Sequence, residues 1–142
     1  MKANSETLKQ KMEIIDENMI YLEEKRDSFK PEDTDFEELQ AVKHSMFEIS
    51  EACIDIASHI IAAEGFERPN EYQEVFTVLK KQDIINGDLE GKLKAMARFR
   101  NFITHRYDKI DDHRLKEILE NDLEDIHEFN NAVYRYMDEN SA

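Results

Sequence analysis

The sequence predicts an all-α protein, an antiparallel bundle of four or five helices in which residues 1–142 form one domain. Glycine and proline, which interrupt helices, are rare, with three of the first and two of the second in 142 residues. Apolar residues recur at alternating spacings of three and four over long stretches, which is the repeat of an amphipathic helix. A domain of this length can bury a core without disulfide bonds.

The first predicted helix extends from about Ser5 to Phe29, and Pro31 with the acidic residues after it marks the end. Spacings of four and three place its apolar side chains on one stripe, which predicts one buried face. This stripe consists of Leu8, Met12, Ile15, Met19 and Leu22.

The second predicted helix extends from about Thr34 to Glu64, with Gly65 as the residue that terminates it. One apolar stripe runs from Leu39 to Ile60 with heptad-like spacing. A second stripe lies beside it and is formed by Phe47, Ile54 and Ile61. A helix that is apolar on two sides is buried on two sides. It is therefore either the central helix of the bundle or a helix that also meets a second subunit.

Three further helices complete the prediction. The third begins at Pro69 and ends near Lys81, the fourth extends from about Asp88 to Arg106, and the fifth from about Asp112 to Asp138. The stretch 82–91, which contains two glycines, is predicted to be a turn region.

Composition restricts the classes of function. A net charge of −14 argues against a general nucleic-acid coat protein, because lysine and arginine drive phosphate binding. The first residues lack the apolar segment of a signal peptide, so we expect none here, and no apolar stretch is long enough to span a bilayer. A single cysteine, Cys53, excludes an internal disulfide and suggests a reducing compartment. We therefore expect a soluble, cytoplasmic protein without membrane association.

The fourth helix departs from both the charge balance and the apolar pattern of the chain. Residues 91–109 carry six basic residues against one acid, which indicates either a solvated helix face or a local anion site. Arg100 also falls on the inward stripe between Met96 and Ile103, where an apolar residue is expected. A charge aimed at a bundle interior is costly unless it is paired or lies in a cleft. The alternative is a long arginine that reaches past the core to solvent.

Arg100 begins the motif R-N-x-x-x-H-x-Y, completed by Asn101, His105 and Tyr107. This motif resembles the R-x4–6-H motif of ribonucleases in the HEPN superfamily, and its final Tyr is similar to that of the HepT-like toxin family. The segment EACIDIASHII, at 51–61, followed by Arg68 and Pro69, resembles the second helix of the same family. The resemblance covers roughly residues 12–136.

The resemblance implies a toxin of a type II/VII-like toxin–antitoxin pair. Such proteins are homodimers whose two motifs face each other across a cleft, and they act as metal-independent endoribonucleases on RNA. Each is encoded beside a minimal nucleotidyltransferase (MNT) antitoxin, which in some pairs transfers AMP onto the Tyr that closes the motif, Tyr107 here. The alternative function is a non-catalytic HEPN module that binds a nucleotide or serves only as the substrate of the partner's AMPylation. A purely structural helical dimer is a third possibility.

The residues of the motif suit RNA cleavage. A neutral His105 can take a proton from a ribose 2′-OH as the catalytic base, since an imidazole has an ordinary pKa of about 6.5. Arg100, the second catalytic residue, can donate two hydrogen bonds to the scissile phosphate. Asn101 and Tyr107 are predicted to position the substrate, and no cofactor is needed. However, residues five apart in an ideal helix point about 140° away from each other, so Arg100 and His105 would not share a face. Either the helix ends or bulges before His105, or the site is completed across a dimer.

The sequence contains other candidate functional residues, which have weaker support. Glu124 and His127 have the spacing of a di-iron motif, but no second copy exists, and we predict no metal site. His59 lies four residues after Asp55, which favours a structural contact between the two. Asp55 is also a candidate to approach and fix the motif of the fourth helix.

Overall fold

The computed structural model describes residues 3–104 and 112–140 of the chain. Six α-helices and two short 3-10 turns form the described part, which confirms the predicted all-α class. The turns are Pro31–Asp33 and Tyr72–Glu74. The helices, in chain order, are α1 Ser5–Lys25, α2 Phe36–Glu64, α3 Val75–Lys81, α4 Gly87–Thr104, α5 Asp112–Asn121 and α6 Leu123–Asn140.

Helix α1 begins where Asn4 caps it, since the side-chain oxygen of Asn4 accepts hydrogen bonds from the backbone of Glu6 and Thr7. Its predicted stripe is confirmed, because all five of its residues, from Leu8 to Leu22, are buried. The helix ends at Lys25 rather than near Phe29. The chain turns there so that Phe29, fully buried, packs into the core while its backbone amide bonds to the Lys25 carbonyl.

Helix α2 is the central helix. Asp35 caps its start by accepting from the backbone of Glu38, and Gly65 ends it with a positive φ of 73° that favours glycine, as predicted. Both apolar stripes contribute to the core, with Ile54 and Ile61 of the second stripe buried within the chain itself. Most residues of the two stripes are buried because α1, α3 and α4 pack around α2, whereas Leu39 and Phe47 are half-buried. A second subunit is therefore not needed to explain the burial of Ile54 and Ile61.

Two further predicted boundaries are wrong. The third helix does not start at Pro69, because the 3-10 turn Tyr72–Glu74 intervenes and α3 begins only at Val75. The predicted fifth helix is two helices, α5 and α6, which separate at Asp122. Asn121 and Asp122 are weak helix formers whose side chains compete for backbone hydrogen bonds. The backbone carbonyl of Asp122 accepts from the backbone N–H of Asp125 as α6 begins, while Leu119 and Leu123 on either side stay buried.

One hydrophobic core is shared by helices that are far apart in the chain. Phe76 of α3 and Phe129 of α6, both fully buried, meet edge to face with ring centroids 6.0 Å apart and planes at 88°. Helix α6 also packs against α1 and α4, and α5 against α1. In the part of the chain that the structure describes, none of the helices combines the length and the apolar character needed to cross a bilayer.

Replacing Asp122 with Asn is expected to raise the Tm at neutral pH by about 2 °C. Burial first, and then the neighbouring Asp125 carboxylate, raise the pKa of Asp122 above its ordinary value of 3.8. The folded protein therefore favours the protonated acid, and stability is lost as the pH rises through this raised pKa. Asn has nearly the same shape as Asp but carries no charge.

Thermal melts at neutral pH and at a pH below 3.8 check this expectation. The variant and the parent should have the same Tm at the lower pH, where the carboxyl is protonated in the folded and unfolded states alike. A variant that melts below the parent at neutral pH would contradict it.

Candidate active site

Helix α4 presents Arg100 at the edge of the core. The Asn86 side chain accepts from the backbone of Leu89 and fixes the start of the helix. Leu89, Leu93 and Ala97 are buried, whereas Arg100, one turn beyond Ala97, lies half-buried with 21% of its side chain exposed. The predicted inward position of Arg100 is therefore confirmed, and the arginine does not simply extend into solvent.

Among the described residues, side chains from α2 and from the turn Tyr72–Glu74 contact the Arg100 guanidinium. Glu51 of α2 accepts a hydrogen bond from Nη1, with 2.5 Å between Nη1 and Oε1. The ring of Tyr72 lies 4.8 Å from the guanidinium carbon and the ring of Phe47 5.9 Å from it. Both distances are within the range of cation–π attraction. Pairing and aromatic contact together offset the cost of placing this charge beside the core.

Tyr72 also ties its turn to α4. Its hydroxyl donates to the carbonyl oxygen of Ala97 at 3.3 Å, while its ring faces Arg100 one turn further along the same helix. The 3-10 turn that displaced the predicted start of the third helix is thus the element that brings this aromatic ring to the arginine.

The other residues of the motif are only partly covered by the structure. His105 and Tyr107 lie outside the described residues, and of Asn101 only the helical backbone is described. Helix α4 is α-helical through Thr104, so Arg100 and Asn101 lie on a continuous helix. The predicted end or bulge of the helix before His105 and the roles of the four residues stay predictions.

Asp55 does not approach Arg100, and Glu51, one turn earlier on α2, takes that place. The Asp55 carboxylate pairs with Lys11 of α1 at 3.0 Å. His59 accepts a hydrogen bond from the backbone N–H of Asn4 at 2.9 Å, rather than contacting Asp55. The predicted contact between Asp55 and His59 is therefore replaced by two separate contacts that join α2 to the N-terminal segment.

Glu51, Phe47 and Tyr72 were not identified as site residues from the sequence. Phe47 was assigned only to an apolar stripe, and Glu51 and Tyr72 were assigned no role. The signal for Glu51 was its position at the start of the otherwise small and apolar stretch Ala52–Ile54 on a buried helix. Since 49 positions separate Glu51 from Arg100, local pattern could not pair them.

Much of the basic segment is neutralised locally. Lys92 pairs with Asp88 at 3.1 Å and with the buried Asp125 at 3.3 Å. Lys94 donates to Glu74, and hydrogen bonds from Thr77 and Lys94 hold the pKa of the Glu74 carboxyl below its ordinary value. These two lysines therefore belong to a salt-bridged helix face, and within the described part of the segment the candidate anion site lies at Arg100, towards the end of α4.

The candidate di-iron pair also has a structural role. His127 contacts Glu23 of α1, with 2.6 Å between Nε2 and Oε1, and so joins α6 to α1. Among the described residues, no three His, Cys, Asp or Glu side chains are grouped so as to hold a metal ion.

An arginine fixed in this way can bind an anion with defined geometry. A planar guanidinium recognises phosphate oxygens through paired donors, and contacts to a carboxylate and two rings restrict its rotation. Arg100 precedes His105 by five residues in the sequence. The arrangement of Arg100 therefore suits stabilisation of negative charge on a phosphate that His105 would act on.

Comparison with known proteins places the chain in a family. Residues 8–133 match the family described as Ribonuclease HepT-like. A relative from Shewanella oneidensis, named mRNA nuclease HepT, is 31% identical over 83 residues. The match covers 58% of this chain and 62% of the length of that relative, so somewhat less than two thirds of it is spanned.

Two solved structures share the fold at 23% identity and a TM-score of 0.86. One is a toxin–antitoxin structure with AMP-PNP, which covers 92% of this chain and 99% of its own. The other is the tri-AMPylated HEPN toxin of Shewanella oneidensis in complex with its MNT antitoxin, which covers 93% of this chain and 99% of its own. Because the family match spans most of the sequence and the fold agrees over nearly the whole chain, this protein belongs to the Ribonuclease HepT-like family.

Proposed function

We propose that this protein is the toxin of a toxin–antitoxin pair and a metal-independent endoribonuclease. The observation that carries the proposal is Arg100, which is half-buried and held by contacts near the end of α4. It precedes His105 by five residues in a chain of the Ribonuclease HepT-like family. The nuclease name of the Shewanella oneidensis relative supports the same activity. The proposed location is the cytoplasm, where a toxin would meet the RNA of its own cell.

In the proposed reaction His105 takes the proton of a ribose 2′-OH, and the 2′ oxygen attacks the adjacent phosphorus. The bond to the 5′ oxygen of the next nucleotide breaks, and this oxygen takes up a proton from water while the protonated His105 returns its proton to solvent. The products are a 2′,3′-cyclic phosphate and a 5′-OH. Arg100 stabilises the negative charge that develops on the phosphate oxygens. Asn101 and Tyr107 position the substrate in this proposal.

The direct test is incubation of the purified protein with RNA in the presence of EDTA. Cleavage should proceed unchanged by the chelator, and the new ends should carry a cyclic phosphate. RNA with 2′-O-methyl riboses should resist, because it has no 2′-OH to attack. Absence of cleavage, or equal cleavage of the methylated RNA, would refute the proposed reaction.

We expect a homodimer, in which two copies of the motif share a cleft and the contact is built largely on α2 or α4. The family resemblance motivates this expectation, and the burial of Ile54 and Ile61 of α2 within one chain favours α4 of the two. Light scattering should give twice the chain mass of 16.8 kDa at micromolar concentration. A particle of 16.8 kDa would mean that each site is formed by one chain.

The proposed partner is an MNT antitoxin that neutralises the protein. The similar Shewanella oneidensis toxin is AMPylated and bound to such an antitoxin, which favours AMP transfer onto Tyr107. The same observation favours a second candidate function, in which the protein is a non-catalytic, nucleotide-binding substrate of that modification. The RNase assay separates the two, since only the first candidate cleaves RNA before the antitoxin is added.

A further inference from the structure

The cluster around Arg100 is the strongest feature that the proposed roles leave unexplained. Phe47 and Glu51 lie one turn apart on the same face of α2, and Tyr72 comes from a separate turn, so two elements converge on one guanidinium. None of the three residues belongs to the R-N-x-x-x-H-x-Y motif. We propose that Glu51 and Tyr72 are positioning residues of the ribonuclease site, which hold Arg100 in the orientation that meets the scissile phosphate.

Stability alone is a weak reason for this ion pair. The Glu51 side chain is 36% exposed and that of Arg100 is 21% exposed, and ion pairs at such partly exposed positions contribute little net free energy to folding. An apolar residue at position 100 would also continue the buried stripe of α4. The charged pair therefore has its main consequence in the orientation of Arg100.

Orientation matters because a free arginine has many rotamers. An arginine that becomes ordered only when the substrate binds loses that freedom during binding, whereas one already held by a carboxylate and a ring has lost it on folding. A displacement of a catalytic group by about 1 Å can lower a rate by about 100-fold. Glu51 fixes the guanidinium through Nη1, and the Tyr72 ring covers it from 4.8 Å.

The ring contact and the hydroxyl contact of Tyr72 can be tested separately. Its ring faces Arg100, but its hydroxyl donates to the Ala97 carbonyl and so stabilises the turn on α4. Tyr72→Phe removes the hydroxyl and keeps the ring, whereas Tyr72→Leu removes both groups. If the ring acts on Arg100, the Phe variant keeps the parent's activity and the Leu variant loses it.

The kinetic test compares Glu51→Ala, Glu51→Gln and the parent on a fluorescent RNA, and rests on the proposed function. We expect Glu51→Ala to lower kcat by about 30- to 100-fold with a change in KM below about threefold. Glu51→Gln should stay within about threefold of the parent, because its amide oxygen still accepts from Nη1. Tyr72→Leu should lower kcat by about tenfold, and Tyr72→Phe should not.

Glu48→Ala is the matched control. Glu48 lies three residues before Glu51 on α2, pairs with His44 at 3.8 Å, and its replacement removes the same charge. Its kcat should equal that of the parent. If Glu51→Ala has the same kcat as the parent or a higher one, Glu51 does not position Arg100 for catalysis and the proposal fails. If melting curves show that Glu51→Ala does not fold, Tyr72→Leu is used for the same comparison.

A second readout does not depend on cleavage. ¹⁵N relaxation of the Arg100 Nε–Hε group, assigned by its absence in Arg100→Lys, reports the rigidity of this side chain. It should be as rigid as the backbone in the parent and in Glu51→Gln, and mobile in Glu51→Ala. Equal rigidity in all three would overturn the positioning role. If the parent protein cuts no RNA but the three proteins show the expected difference in rigidity, the proposed function is refuted. The result would still show that Glu51 fixes Arg100.

Discussion

Replacement of His105 or Arg100 with Ala is expected to lower the rate of RNA cleavage by about 100-fold or more and to abolish toxicity on expression. His105→Ala removes the proposed general base, a contribution typically of about 100- to 10,000-fold. Arg100→Ala removes the donors that stabilise charge on the phosphate, which is of similar size. Because the two groups act in one step, the double variant should be little slower than either single variant.

Matched controls separate chemistry from charge and folding. Arg98→Ala removes an arginine from an exposed position two residues earlier on α4, and His44→Ala removes an exposed histidine from α2. Both should cleave RNA at a rate within about threefold of the parent, since neither is placed at the reacting phosphate. Helical circular dichroism and Tm should stay close to the parent in all four variants. If His105→Ala and Arg100→Ala are as toxic as the parent, the catalytic assignment is wrong.

Tyr107→Phe is expected to abolish modification by the antitoxin completely, because the proposed acceptor of AMP is the Tyr107 hydroxyl. Co-expression of the parent with its nucleotidyltransferase should increase the intact mass by one or more AMP units. Each AMP adds a phosphodiester charge next to the motif, and Arg100 would bind this charge in place of an RNA phosphate. The modified protein should therefore lose RNA cleavage, while the Phe variant should stay active in the presence of the antitoxin.

Two measurements complete this experiment. Intact mass spectrometry identifies the modification, and Tyr134→Phe, at an exposed tyrosine of α6, is the control that should still be modified. An unmodified parent that the antitoxin nevertheless inhibits fully would mean that neutralisation occurs by complex formation. Tyr107 would then be an aromatic residue with a structural role only.

The sequence was sufficient to predict the helices and to identify Arg100 as exceptional. The stripe of α1, the cap at Gly65 and the position of Arg100 on the inner side of α4 all follow from a repeat of 3.6 residues and from local capping, and the structure confirms them. The length of the predicted last helix was wrong because the apolar spacing continues across Asp122, whereas the helix is interrupted there.

Only the tertiary structure decided how these helices meet. It showed that most residues of both stripes of α2 are buried within one chain, and that Glu51 rather than Asp55 pairs with Arg100. Asp55 and Glu51 lie one turn apart, and which of them reaches α4 depends on how α2 and α4 cross and on the rotation of each helix about its axis. Periodicity in a sequence fixes which face of a helix is buried, but the partner of that face is set by packing between residues far apart in the chain. For this reason the motif could be read from the sequence, whereas the residues that hold its arginine could not.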